Sequence, residues 1–433
     1  MKNTVHISRR GVLAAIGSAG AAATLGVAPR RARANTAPAG RVVVVGGGFG
    51  GATAAKYLKR RNPKIDVALV EPSEVFVTCP FTNLYFGGLR TFEQQEHNYD
   101  ELRSLGVNVI HDTAQAVDGK AHTVTLGNGQ VLPYDKLVLS PGIDFRWDAI
   151  EGYDEAAAEL APHAWKAGPQ SRLLREQLEA MPDGGLFIMV APPNPYRCPP
   201  GPYERVSMVA HYFKTHKPNS KILVLDAKDN FSKQGLFTDG WKKFYDGMIE
   251  WVPASKDGKV IRVDAKNLTV ETEFGEKHKA SVLNVIPPQK AGFIAERAGV
   301  TNESGWVPID PHTFESTQVP DIFVVGDATV AAPMPKSGFV ANNQAKVAAA
   351  AIVAALEGKE PPQAAFANTC YSLIAPDYGI SVAGVYAVED GKLVEKAGGL
   401  SPRDASDEFR KLEAEYGVGW YQSISQDAWG TGA

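Results

Sequence analysis

The chain has 433 residues, 45 Lys or Arg against 48 Asp or Glu, three cysteines and nine histidines. That length exceeds what one hydrophobic core supports, so two or three domains are expected. The charge balance gives no electrostatic case for nucleic acid or an anionic membrane, and no C-x-x-C-H or metal-ligand spacing points to an encoded haem or metal site.

The first 34 residues read MKNTVHISRRGVLAAIGSAGAAATLGVAPRRARA. Ser8-Arg9-Arg10 leads into a weakly apolar, Gly/Ala-rich run and closes on Ala32-Arg33-Ala34. This is the pattern of a twin-arginine export signal, too mildly apolar to anchor as a membrane helix. The mature chain is expected to start at Asn35 in the periplasm, where disulfides persist. Removing the six basic residues of 1–34 from the 45 leaves 39 against 48 acidic ones, a net charge of −9. The longest later apolar run, Ala345 to Leu356, is too short to span a bilayer, so no integral membrane segment is expected in the mature chain.

Next comes RVVVVGGGFGGATAAKYLKRRNPKIDVALVEP. Val42 to Val45 is a β-branched run suited to a strand buried on both faces. Gly46, Gly48 and Gly51 supply G-x-G-x-x-G spacing, Ala52 to Arg60 follows as a helix, and the strand Val67 to Val70 ends in Glu71. Such glycines let backbone approach a pyrophosphate, the helix start favours its charge, and the acid accepts ribose hydroxyls. Shortly after lies Cys79, alone among turn formers in VFVTCPFTNLYFGG.

The middle of the chain predicts strands at Leu186 to Val190 and Lys221 to Asp226. Between them the turn reads APPNPYRCPPGPYER, one glycine among six prolines. Fixed rings without N–H groups cannot cradle a pyrophosphate, so this domain is expected not to bind NAD. It presents Cys198 just before a helix expected at Tyr203 to Thr215, whose start would help stabilise a thiolate.

Far downstream, TQVPDIFVVGD places Gly326 and Asp327 at a strand end, followed by PMPKSGFVANNQAKVAAAAIVAAL. Together with LVLSPG at Leu137 to Gly142, this resembles the second FAD fingerprint of two-dinucleotide flavoproteins. In these the Asp binds ribitol and the helix start faces the flavin. The resemblance implies an α/β fold with two Rossmann-like dinucleotide-binding domains of glutathione-reductase type plus a small C-terminal α+β domain. The expected boundaries are an FAD domain over 35–150 and 289–360, a second domain over 151–288, and a C-terminal interface domain over 361–433. That last segment carries Cys370 and a hairpin at Ile380 to Tyr386 and Leu393 to Lys396.

Several longer stretches carry a closer resemblance: HAWKAG at His163 to Gly168, YRCPPGPYER, NVIPPQKAG, GDATVAAPMPKSG, NTCYSLIAPDYGISVA and GWYQSI. The sequence is similar to the flavoprotein subunits of flavocytochrome c sulfide dehydrogenase, which are related to the sulfide:quinone oxidoreductases. The resemblance implies FAD joined to Cys79 by an 8α-S-cysteinyl thioether, and a redox-active disulfide between Cys198 and Cys370. Hydrosulfide would open that disulfide to a persulfide and a thiolate, and the electrons would leave through FAD to a separate c-type cytochrome subunit. Glu204 would carry a proton beside the pair; from the residues alone it is equally an exposed first-turn acid. Trp420 would wall the flavin or pass electrons outward, or serve only in packing, and Lys336 would stabilise charge on reduced flavin. Reduction of quinone, or reactivation of a sulfur-oxidising cytochrome complex, are the alternatives.

Overall fold

The computed structural model describes residues 39–430; the export signal expected over 1–34 lies outside them. Strand Arg41–Val45 buries all four valines and pairs in parallel with Asp66–Val70 on one side and Lys136–Leu139 on the other. Asn108–Ile110 and Ile322–Val324 complete a five-stranded parallel sheet. One of its edges therefore comes from far downstream, as the two glycine-containing fingerprints required. The helices Phe49–Arg61 and Gly338–Leu356 pack together and against this sheet.

The second sheet is also parallel, in the order Ile249–Val252, Lys221–Asp226, Leu186–Ala191, Val282–Val285. Both strands expected here are present. The helix after the proline-rich turn runs Gly201–His216 and so begins two residues earlier than expected. Pro202 fits its first turn, where no intrahelical N–H bond is required. The chain leaves the first unit and returns to it through one antiparallel pair, Ile143–Phe145 with Gln289–Ala291.

The C-terminal segment is a three-stranded antiparallel sheet, Ala365–Ala375, Tyr378–Glu389 and Lys392–Leu400, followed by helix Asp407–Trp429. The expected hairpin is there, with longer arms. Ser406 caps the helix by accepting from Phe409 N–H, which satisfies one of the donors a helix start leaves open. The far end of this helix is sealed into the first unit. Trp429 is fully buried between Phe49, Phe76 and His97, and its indole N–H donates to Gly47 O at 3.0 Å. Helix Gly338–Leu356 is, among the described residues, the one long and apolar enough to cross a membrane, and 67% of that stretch is buried inside the molecule.

Candidate active site

A cavity of about 450 Å³ lies where the two sheets and the C-terminal strands meet. One wall is the glycine turn of Gly46, Gly47 and Gly48. Gly46 has φ +98°, a conformation glycine adopts without strain. Gly51 does not reach the cavity; a Cβ there would run into the Gly46 carbonyl, so its role is to let helix and turn pack closely. The following helix, Phe49–Arg61, has no side-chain cap and no acid in its first turn, which leaves its N–H groups available to an anion. Glu71 sits beside the turn, accepting from Gly47 N–H at 2.8 Å and Ser73 N–H at 3.0 Å.

The opposite wall carries Gly326 and Asp327 and the start of helix Gly338–Leu356, capped by Ser337. Asp327 Oδ1 is buried without a hydrogen-bond partner among the described residues, and burial pushes its carboxyl up. A buried acceptor of this kind is costly unless a donor arrives. Lys336 departs from expectation. Its side chain lines a neighbouring cavity rather than this one, donates to the carbonyls of Asp327 and Thr329 at 2.7 Å each, and lies over the Trp306 ring. Burial lowers its pKa to about 8. The short link from Lys336 to the helix start at Gly338 turns the backbone toward the first cavity and leaves the lysine side chain on the other side.

All three cysteines line the first cavity, although they come from widely separated parts of the chain. Cys79 follows the short strand Phe76–Val77, and its thiol donates to Trp165 O at 3.3 Å. Its loop is pinned from behind by Thr78, whose hydroxyl meets Tyr421 Oη at 2.8 Å. Cys198 has φ +59°, a left-handed conformation that costs a non-glycine residue strain. Its N–H donates to Lys336 O at 2.8 Å, and its carbonyl accepts from Gly201 N–H at 2.8 Å. Cys370 lies mid-strand, opposite Val382.

The three are free thiols, so the Cys198–Cys370 bond that the resemblance implies is not formed in this structure. The expected thiolate at Cys198 is also not favoured. Burial pushes its thiol well up, Glu204, Cys370 and Cys79 add to the effect, and Arg197 opposes it. Desolvation outweighs a helix start one turn away. Cys370 is pushed up by burial as well, with Lys233 pulling the other way.

Glu204 is not an exposed first-turn acid. It is half-buried, lines the cavity and accepts from Asn83 Nδ2 at 2.9 Å. Burial raises its carboxyl, against Lys233, Ser372, Asn83 and Arg205. Trp420 also lines the cavity, packed among Phe81, Phe339 and Tyr371. Asn83, Arg197, Lys233 and Ser372 were not foreseen. Arg197 and Ser372 sit beside Cys198 and Cys370 in stretches quoted above, where nothing in the sequence singled them out; Asn83 and Lys233 are brought to Glu204 and Cys370 only by the tertiary fold. No group of His, Cys, Asp or Glu among the described residues could hold a metal ion.

Residues 171–287 match the model for the central part of the sulfide dehydrogenase [flavocytochrome c] flavoprotein chain, and residues 362–429 match the flavin-binding part of flavocytochrome c sulphide dehydrogenase. Residues 40–173 match the pyridine nucleotide-disulphide oxidoreductase model. A flavocytochrome c sulfide dehydrogenase flavoprotein chain from Chlorobaculum thiosulfatiphilum is 70% identical over 43 residues, covering 10% of this chain and 90% of that sequence. The mitochondrial sulfide:quinone oxidoreductase of Mus musculus is 27% identical over 312 residues, 66% of this chain and 65% of the mouse protein, just under two thirds of its length. Among solved structures, the sulfide:quinone oxidoreductase of Aquifex aeolicus aligns with a TM-score of 0.66 at 20% identity, over 89% of this chain and 92% of that one. Putidaredoxin reductase, in its complex with putidaredoxin, aligns at 0.64 and 17% identity over 87% and 94%. The two structures share the fold. The glycine cradle, the uncapped helix start and the orphaned Asp327 oxygen fit FAD, in agreement with the flavin-binding match.

Proposed function

Since this chain belongs to the flavocytochrome c sulfide dehydrogenase flavoprotein family, we propose that it oxidises hydrosulfide in the periplasm and delivers the electrons to a c-type cytochrome subunit. One observation carries the reading. Two cysteines from separate segments and a half-buried carboxylic acid, Glu204, share a cavity with a third cysteine and a dinucleotide cradle.

FAD, when bound, supplies a two-electron acceptor that can release its electrons one at a time. Gly46, Gly48, Glu71 and Asp327 would hold it, and Cys79 would tether it through a thioether. Cys198 and Cys370 form the working disulfide. Hydrosulfide attacks one of their sulfurs; the bond between them breaks, a new S–S bond forms to the incoming sulfur, and the other cysteine leaves as a thiolate. This exchange needs no external oxidant. A second sulfide or another thiol then removes the sulfane sulfur. Glu204, raised by burial and held by Asn83, takes the proton that hydrosulfide carries in. Trp420 walls the cavity against solvent.

The test is sulfide-driven reduction of a c-type cytochrome by the purified protein in detergent-free buffer, set beside reduction of a short-chain quinone in detergent. The reading expects cytochrome reduction without quinone. Quinone reduction alone would move the protein to the membrane-coupled alternative, and reduction of neither acceptor would count against sulfide oxidation altogether.

A further inference from the structure

The function just proposed gives no role to Lys233, yet this residue occupies an unusual place. It stands at the N-cap of helix Gln234–Phe244 with φ 61° and is only 3% exposed. Its ammonium donates to Ser372 Oγ at 2.6 Å and reaches the Cys370 carbonyl at 3.5 Å. Both partners are neutral. A buried ammonium whose hydrogen-bond partners among the described residues are neutral is costly unless negative charge lies close by.

Two groups facing it can carry that charge. Glu204, on helix Gly201–His216, has its carboxylate form favoured by Lys233, and so does the thiolate of Cys370 on strand Ala365–Ala375. Glu204 itself works against a thiolate at Cys370. Cys198, from the loop before the helix, belongs to the same cluster, but the cation that opposes its upward shift is Arg197. Arg205, the other cation acting on Glu204, has its donors committed to Asn83, Asn284 and the carbonyls of His163 and Ala164. The two cysteines thus answer to different cations, and Lys233 belongs to Cys370.

We propose that Lys233 is a positioning residue that stabilises anionic sulfur at Cys370 once the cysteine pair has opened. This rests on the exchange described above. Hydrosulfide brings one negative charge into a buried cavity. After attack that charge stays on sulfur, with the electron pair of the broken S–S bond, as a thiolate or, on loss of the proton to Glu204, also as a persulfide anion. Lys233 compensates it at Cys370 without touching the reacting atoms. Ser372, two residues along the same strand, fixes the ammonium at that distance.

The experiment measures thiolate character at each cysteine separately. Flavin-loaded protein is reduced, alkylated with iodoacetamide across a pH series, and the Cys198 and Cys370 peptides are quantified by mass. Lys233→Gln keeps hydrogen-bonding capacity and removes the charge; Lys233→Arg keeps the charge. Because only the thiolate reacts, Lys233→Gln is expected to slow Cys370 alkylation near neutral pH by about tenfold and to move its profile up by about one pH unit. Lys233→Arg should recover most of this, and the Cys198 profile should not move up with it. Coincident Cys370 profiles in wild type and Lys233→Gln would overturn the proposal, as would equal slowing at both cysteines, which would mean a loosened fold. The sulfide assay is read separately: a wild type that fails to oxidise sulfide contradicts the proposed function and leaves the alkylation result standing.

Discussion

Burial decides the chemistry of the individual side chains around the cavity. Both Cys198 and Cys370 are pushed up by desolvation, and the Glu204 carboxyl is pushed up with them. For Glu204 acting as a base the sign follows directly. Its active form is the carboxylate, so turnover should fall as pH drops through a pKa above the ordinary 4.5. Glu204→Gln should remove that acid limb and lower kcat by about a hundredfold, as seen for lost general bases; a pH–rate profile at saturating sulfide checks both. Asp327 is pushed up by burial too, and one of its buried oxygens has no hydrogen-bond donor among the described residues. Asp327→Ala removes the acceptor and, in a Cys79→Ser background that lacks the proposed tether, should weaken flavin retention by about tenfold or more, measured as the flavin-to-protein ratio after gel filtration.

The C-terminal helix shows how one element governs a distant loop. Trp429 plugs the underside of the glycine turn, while Tyr421, two turns earlier on the same helix, meets the hydroxyl of Thr78 beside Cys79. Trp429→Ala should cost about 3–5 kcal/mol of stability, seen as a lowered Tm, with the visible flavin spectrum changing before global unfolding. This element also marks the limit of what the sequence discloses. The strands Arg41–Val45 and Leu186–Ala191 were legible because unbroken β-branched and apolar runs have few other solutions, and the glycine spacing located the cradle. The C-terminal helix has no comparable signature, since its contacts are made with residues hundreds of positions earlier. The side chain of Lys336, which lines the neighbouring cavity, could not be placed for a related reason: a short loop before a helix does not reveal which side its side chain takes. Lys233 and Asn83 were invisible because their meaning arises only from tertiary proximity to Cys370 and Glu204.

For the whole molecule, the arrangement is a division of labour among three segments, each contributing one cysteine to a shared cavity. The turn that would receive a nicotinamide pyrophosphate in the second sheet instead carries prolines and Cys198. If electrons enter at the cysteine pair as proposed, a turn of this kind calls for an exit other than NAD. If Cys79 tethers the cofactor, the denatured protein should retain one FAD, and the added mass should map to the peptide containing Cys79. Flavin released on denaturation would remove the tether while leaving the cavity and its cysteine pair intact.

The central claim is that hydrosulfide enters through the Cys198–Cys370 pair. An anaerobic titration of the purified, flavin-loaded protein with sulfide, followed at the visible flavin band, tests it most directly. Wild type should bleach with stoichiometric sulfide, and Cys198→Ser and Cys370→Ser, which keep their flavin, should not. A wild type that does not bleach, or serine variants that bleach as readily as wild type, would contradict the account.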